Sequence, residues 1–124
     1  MTAALRVFLD ASLLAAILAV TVSSSGTPAQ TRPLNQRTID AKITAYCLSG
    51  TTYTGTPVRP GVVAVDPDWI PLGATISIEG LPTLYTAEDK GVGVRGPQVD
   101  LWMESCEDAT QWGVHYREVS WWMQ

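Results

Sequence analysis

The chain has little positive charge, a single histidine and only two cysteines, and each scarcity removes a class of function. Eight Lys and Arg stand against twelve Asp and Glu in 124 residues, giving a net charge of −4 and a pI near 4.7. Phosphate backbones are held by clustered basic side chains, so this balance argues against nucleic acid as a partner. The lone histidine, His115, has no Cys/His companions, so no metal and no cofactor are expected. It is read as a satisfied structural histidine. A catalytic thiol is also disfavoured, because no second base is evident to activate it. Neither an internal repeat nor a heptad pattern is visible.

A long apolar run is missing as well. Arg6 precedes the stretch from Ala11 to Val22, and small and polar residues follow from Ser23 to Gln30. Asp10 keeps the apolar run below the roughly 20 residues that a spanning helix needs. A charged start, about a dozen apolar residues and a small-residue exit describe a secretory signal peptide over residues 1–29, with Thr27-Pro28-Ala29 as a loose cleavage site. The alternative is an uncleaved anchor, the only case in which membrane contact is expected. No cysteine lies near the exit to carry a lipid. Residues 30–38 read as a linker and residues 39–124 as one folded domain, a length that supports a single core.

Export places Cys47 and Cys106 in an oxidising compartment, which favours one disulfide over two buried thiols. Such a bond would join positions 59 residues apart. Chain-entropy reasoning assigns it about 4 kcal/mol.

What is present is mostly period-two patterning. Ile43, Ala45 and Cys47 alternate with Thr44 and Tyr46. Val62 to Val65 forms a continuous buried strand that Pro67 ends for want of an N–H. Ile76 and Ile78 alternate within Thr75–Glu79, and Leu84–Glu88 is a further short strand. Val99, Leu101 and Met103 alternate with Asp100 and Trp102, placing Asp100 and Trp102 on one face. A last strand over 118–123 turns Val119, Trp121 and Met123 inward. Ser105 caps a helix of about two turns, with Asp108 three residues on, and Gly113 ends it. Trp69, Trp112, Trp121 and Trp122 are assigned to packing. Six short strands, irregular loops and one small helix predict a mainly β fold, a closed or nearly closed barrel.

Three carboxylates stand at strand ends in this scheme. Asp66 closes the second strand, while Asp89 and Asp100 flank a loop with glycines at 91, 93 and 96, where positive φ and close backbone approach are available. Taken alone, this is also what a solvated turn looks like.

The motifs Thr44-Ala45-Tyr46, Gly55, Val63-Ala64-Val65-Asp66-Pro67, Ile70-Pro71-Leu72-Gly73, Ala87-Glu88-Asp89 with Gly91 and Arg95-Gly96, and Val99-Asp100 together resemble the 3D domain, named for its three aspartates. That family is similar to the C-terminal part of membrane-bound lytic transglycosylase A and to stationary-phase cell-wall lytic enzymes. The likeness covers about residues 42–123. It implies a six-stranded double-psi β-barrel and a lytic transglycosylase that acts on peptidoglycan glycan strands in the bacterial cell envelope; a monomer is expected. It also implies that Asp100 is the general acid and base, supported by Asp89 and Asp66. The sequence departs from the family pattern Asp-Thr-Gly-Gly-Ala-Ile-Lys-Gly at Lys90, which replaces a small hydroxyl residue. Val92 replaces a glycine, and Arg95 replaces lysine. Lys90 is expected either to pair with Asp89 or to fill space that substrate needs.

Such an enzyme cleaves the MurNAc–GlcNAc bond by closing the sugar's own C6 hydroxyl onto C1, so one carboxyl group serves in turn as acid and base. Holding an aspartate protonated near neutral pH, against a free value of about 3.9, takes about 4 kcal/mol of differential interaction. Trp102 can supply part by excluding water from Asp100, and Asp89 or Asp66 part by repulsion. Tyr46 and Trp102 are candidate sugar platforms or packing residues, and Arg95 could hold a wall carboxylate or a neighbouring aspartate. Two other readings are a carbohydrate-binding wall module without turnover and a docking partner of a larger wall enzyme.

Overall fold

The computed structural model describes residues 17–23, 26 and 31–124. The chain divides into residues 1–30 and residues 31–124, and the second unit is compact. The expected signal segment falls largely outside the described residues, and among those described no helix is long and apolar enough to cross a membrane.

The second unit contains six strands and one helix: β1 (Arg37–Tyr46), β2 (Val62–Val65), β3 (Thr75–Ile78), β4 (Leu84–Asp89), β5 (Gln98–Trp102), α1 (Cys106–Trp112) and β6 (His115–Trp122). The strands close in the order β1-β5-β2-β4-β3-β6. Two pairs, β1 with β5 and β2 with β4, are parallel, and the remaining four are antiparallel. This is the double-psi β-barrel that the resemblance implies.

Alternation decides which side chains enter the barrel. Ala41 and Ile43 of β1, Val63 and Val65 of β2, Ile76 and Ile78 of β3, Ala87 of β4, Val99 and Leu101 of β5, and Val119 of β6 form one core cluster. All four residues of β2 are buried, so this strand is covered on both faces, which explains its uninterrupted apolar run. Trp121 and Met103 pack against the cluster from its edge. Met123 does not: it is 40% exposed, because β6 ends at Trp122 and no strand holds the alternation beyond it.

Several boundaries differ from the expectation. β1 begins at Arg37, inside the stretch read as linker, because β6 offers partners that far: Arg37 faces Trp121, and Thr38 faces Ser120. The Thr38 and Ser120 hydroxyls also share a hydrogen bond of 3.0 Å. The helix begins as expected, with the Ser105 hydroxyl accepting the Asp108 N–H. It ends at Gly113, whose φ of 69° a side chain would strain. Of the three loop glycines between the aspartates, only Gly96 takes positive φ, at 70°. Cys47 and Cys106 are joined in a disulfide.

Trp69 is half exposed, in contrast to the packing role expected of it. Trp112 packs against the core and donates its indole N–H to the Ile43 carbonyl. His115 Nε2 lies 2.8 Å from the Trp112 carbonyl. A carbonyl only accepts, so Nε2 carries the proton.

Candidate functional site

The outward faces of β1, β5, β2 and β4 run side by side and bring two of the three aspartates onto one surface. Lateral register sets Thr44 of β1 beside Asp100 of β5 and Asp100 beside Ala64 of β2. Ala64 in turn lies beside Asp89 of β4. Asp89 and Asp100 therefore flank one alanine, with about 10 Å between their backbones at ordinary strand spacing.

Asp89 reaches this surface through a bulge. Ala87 pairs with Val63 and points into the core, so two residues later Asp89 would point inward in a regular strand. Instead Asp89 pairs with Ala64, and Glu88 is the extra residue. One inserted residue moves the following side chain to the other face. Glu88 is then anchored by Arg59, whose Nη2 lies 2.8 Å from its Oε2.

Three donors converge on Asp89: the Tyr46 hydroxyl at 2.9 Å, the Tyr53 N–H at 2.9 Å and the Lys90 N–H at 3.0 Å. Tyr46 belongs to β1, so this hydrogen bond links two strands that are not neighbours in the barrel. Burial, followed by the hydrogen bond to Asp89, raises the Tyr46 hydroxyl well above the ordinary tyrosine value. Tyr46 accordingly keeps its proton and is the donor.

Asp100 accepts a hydrogen bond from the Thr44 hydroxyl at 2.8 Å, and Gln98 Nε2 donates to the same hydroxyl at 3.0 Å. Thr44 is thereby oriented with its proton toward the carboxylate. The Asp100 carboxyl is raised above its ordinary value, first by burial; the Thr44 hydrogen bond opposes this, the charge of Asp89 adds to it, and Lys42 opposes it. Loss of hydration and a like charge both favour the protonated form. Trp102 shares this face of β5 and donates its indole N–H to the Leu48 carbonyl at 2.8 Å.

Asp66 follows the last residue of β2 and has different partners. Its carboxylate accepts the Gly96 N–H at 2.8 Å and the Asp68 N–H at 3.1 Å. These two bonds, the Gly96 one foremost, hold it below the usual carboxylate range, with help from Arg95. Asp66 clamps the 90–97 loop onto the end of β2, while the charge of Asp89 acts on Asp100.

Lys90 settles differently from the expected pairing with Asp89. Its backbone N–H serves Asp89, but its ammonium lies 4.1 Å from the centre of the Tyr53 ring. Arg95 Nε donates to the Val92 carbonyl. Among the described residues no group of three or more His, Cys, Asp or Glu side chains converges as a metal site would require.

Thr44, Gln98 and Tyr53 were not singled out from the sequence. For Thr44 and Gln98 the signal exists: both alternate onto the outward face with Tyr46 and Asp100, and a parallel β1–β5 pairing makes them neighbours. Tyr53 sits in an irregular loop and contributes a backbone N–H, which any non-proline residue possesses.

A solved structure of similar fold is that of an expansin. A point mutant of the Clavibacter michiganensis expansin, crystallised in complex with cellohexaose, superposes with a TM-score of 0.50 at 18% identity, covering 71% of this chain and 50% of that one. The 3D domain family model matches residues 61–124, and the chain belongs to the 3D domain family. A similar protein is the cell wall-binding protein YocH of Bacillus subtilis strain 168, 39% identical over 71 residues, which are 54% of this chain and 24% of that protein. The chain thus spans about a quarter of that relative's length.

Proposed function

We propose that the protein is an exported peptidoglycan lytic transglycosylase of the bacterial cell envelope, acting as a monomer, with residues 1–29 as its signal segment. The observation that carries the reading is Asp100, a carboxyl whose acid form is favoured by burial and by Asp89 on an outward barrel face. Family membership and a relative whose name describes cell-wall binding support the substrate class.

In this reading a glycan strand lies along the surface where Asp89 and Asp100 emerge. Asp100 gives its proton to the glycosidic oxygen as the bond from C1 breaks. The C6 hydroxyl of the same MurNAc then bonds to C1 and returns its proton to Asp100, leaving a 1,6-anhydro ring and an unchanged enzyme. Asp89 places negative charge near the positive charge developing on the sugar ring. Tyr46 holds Asp89, and the Gln98–Thr44 pair orients Asp100. Trp102 and Tyr46 border the sugar, while Asp66 acts at one remove as a positioning residue for the loop.

A second reading, wall binding without turnover or docking on a larger wall enzyme, is favoured by Lys90, whose ammonium rests on Tyr53 beside Asp89. The two are separated by incubating the disulfide-bonded protein and its Asp100→Asn variant with purified peptidoglycan and analysing released fragments by mass spectrometry. Anhydro-ended muropeptides from the wild type, reduced at least 100-fold in the variant, are the expected result. Wall binding by a folded wild type that releases none would leave the binding module standing.

A further inference from the structure

Beside the Asp89–Asp100 face lies a second compartment that the proposed chemistry does not use. It is an open cavity of about 450 Å³ whose lining includes Tyr53, Asp66, Asp68, Lys90, Val92 and Arg95. Neither Asp89 nor Asp100 lines it, but the two regions share a wall: Tyr53 and Lys90 border the cavity with their side chains while their backbone N–H groups hold Asp89.

The charges in this cavity are unequally committed. Asp66 accepts the Gly96 N–H with one oxygen and the Asp68 N–H with the other; these neutral donors leave its negative charge in place, and the Arg95 charge acts on it. Lys90 and Arg95 are both exposed. The ion pair found among the described residues is Arg59 with Glu88, and neither Lys90 nor Arg95 takes part in one. Lys90 rests on an aromatic face, and Arg95 uses only Nε, on a carbonyl. The terminal nitrogens of Arg95 and the ammonium of Lys90 therefore remain as donors for an incoming anion, and a guanidinium offers a carboxylate two parallel hydrogen bonds. Asp68, also exposed, repels an anion from its own side of the cavity. Asp66 repels an anion as well, so an entering carboxylate is held only where it meets Lys90 and Arg95 together.

We infer that this cavity receives a carboxylate-bearing substituent of the glycan strand, held by Lys90 and Arg95, so that the protein distinguishes acidic wall glycan from neutral polysaccharide. The inference rests on the glycan-strand reading above. Such a carboxylate has two sources, the lactyl group of a muramoyl sugar and the stem peptide attached to it.

Binding is measured by calorimetry with the full chain carrying Asp100→Asn, which removes turnover. Three tetrasaccharides serve as probes: one with intact stem peptides, the same glycan with its peptides removed, and chitotetraose, which lacks the lactyl group. The expected order places at least one carboxylate-bearing probe about tenfold tighter than chitotetraose, a preference that weakens with salt. Whichever of the two carboxylate probes gains identifies the source. Adding Lys90→Gln and Arg95→Gln together is expected to abolish the preference and leave chitotetraose binding unchanged, with the fold checked by thermal melting. Equal binding of all three probes, or a preference that survives the double substitution, overturns the inference while leaving the glycan reading intact. Failure of every probe to bind overturns both.

Discussion

Asp66 and Asp100 carry the same carboxyl group, and the fold drives them in opposite directions. Asp66 accepts two backbone N–H groups and is lowered; Asp100 is half-buried beside a like charge and is raised. A lowered carboxyl stabilises the folded state above its unfolded value, and that contribution is lost as pH falls through the folded value. Asp66→Asn should therefore melt at a lower temperature than the wild type at pH 7. The difference should shrink as pH drops below 3.8, the ordinary carboxyl value. Melting curves across that range check it, and a gap of constant size would show that Asp66 acts through shape rather than charge. Alternation and turn chemistry mark both aspartates without telling them apart, and only the resemblance to the 3D domain gives Asp100 the acid role. What separates them is the loop closure that brings Gly96 onto Asp66, a contact between residues 30 positions apart.

Among elements, the segment between β1 and β2 most directly shapes the site. Cys47 is tied to Cys106 at the start of α1, Leu48 accepts from Trp102, Tyr53 donates to Asp89, and Arg59 pairs with Glu88. Replacing both cysteines by serine should cost about 4 kcal/mol or less in denaturant unfolding, the chain-entropy figure being an upper guide. It should also speed hydrogen exchange at the Tyr53 and Thr54 amides more than at Val99 or Leu101. Uniform acceleration would mean that the disulfide stabilises the barrel without ordering this segment. The regular strands were legible because alternation needs only neighbouring residues, as Ile76, Ile78, Val99 and Leu101 illustrate. The bulge at Glu88 was not, because an inserted residue is defined against the partner strand. For the same reason the reach of Tyr46 to Asp89 could not be read: it depends on a strand order that local patterning does not contain. The extended start of β1 was hidden by its polar residues, which β6 holds through backbone pairing and Thr38–Ser120.

At the scale of the whole molecule, the acidity of Asp100 is a collective product of the closed barrel. Two parallel pairings, β1 with β5 and β2 with β4, set Thr44 beside Asp100 and Ala64 beside Asp89, and the antiparallel β2–β5 pairing joins the two halves. Unfolding returns Asp100 to its ordinary value, so the folded chain binds this proton more tightly. The stability contribution of Asp100 therefore falls as pH rises from 3.8 through its raised value. The most direct measurement is a carbon NMR titration of the Asp100 carboxyl in the disulfide-bonded protein and in its Asp89→Asn variant. The account predicts a midpoint above 3.8 in the wild type that moves back toward that value when the Asp89 charge is removed. A wild-type midpoint at or below 3.8 would contradict it, because Asp100 would then hold no proton to give to a glycosidic oxygen.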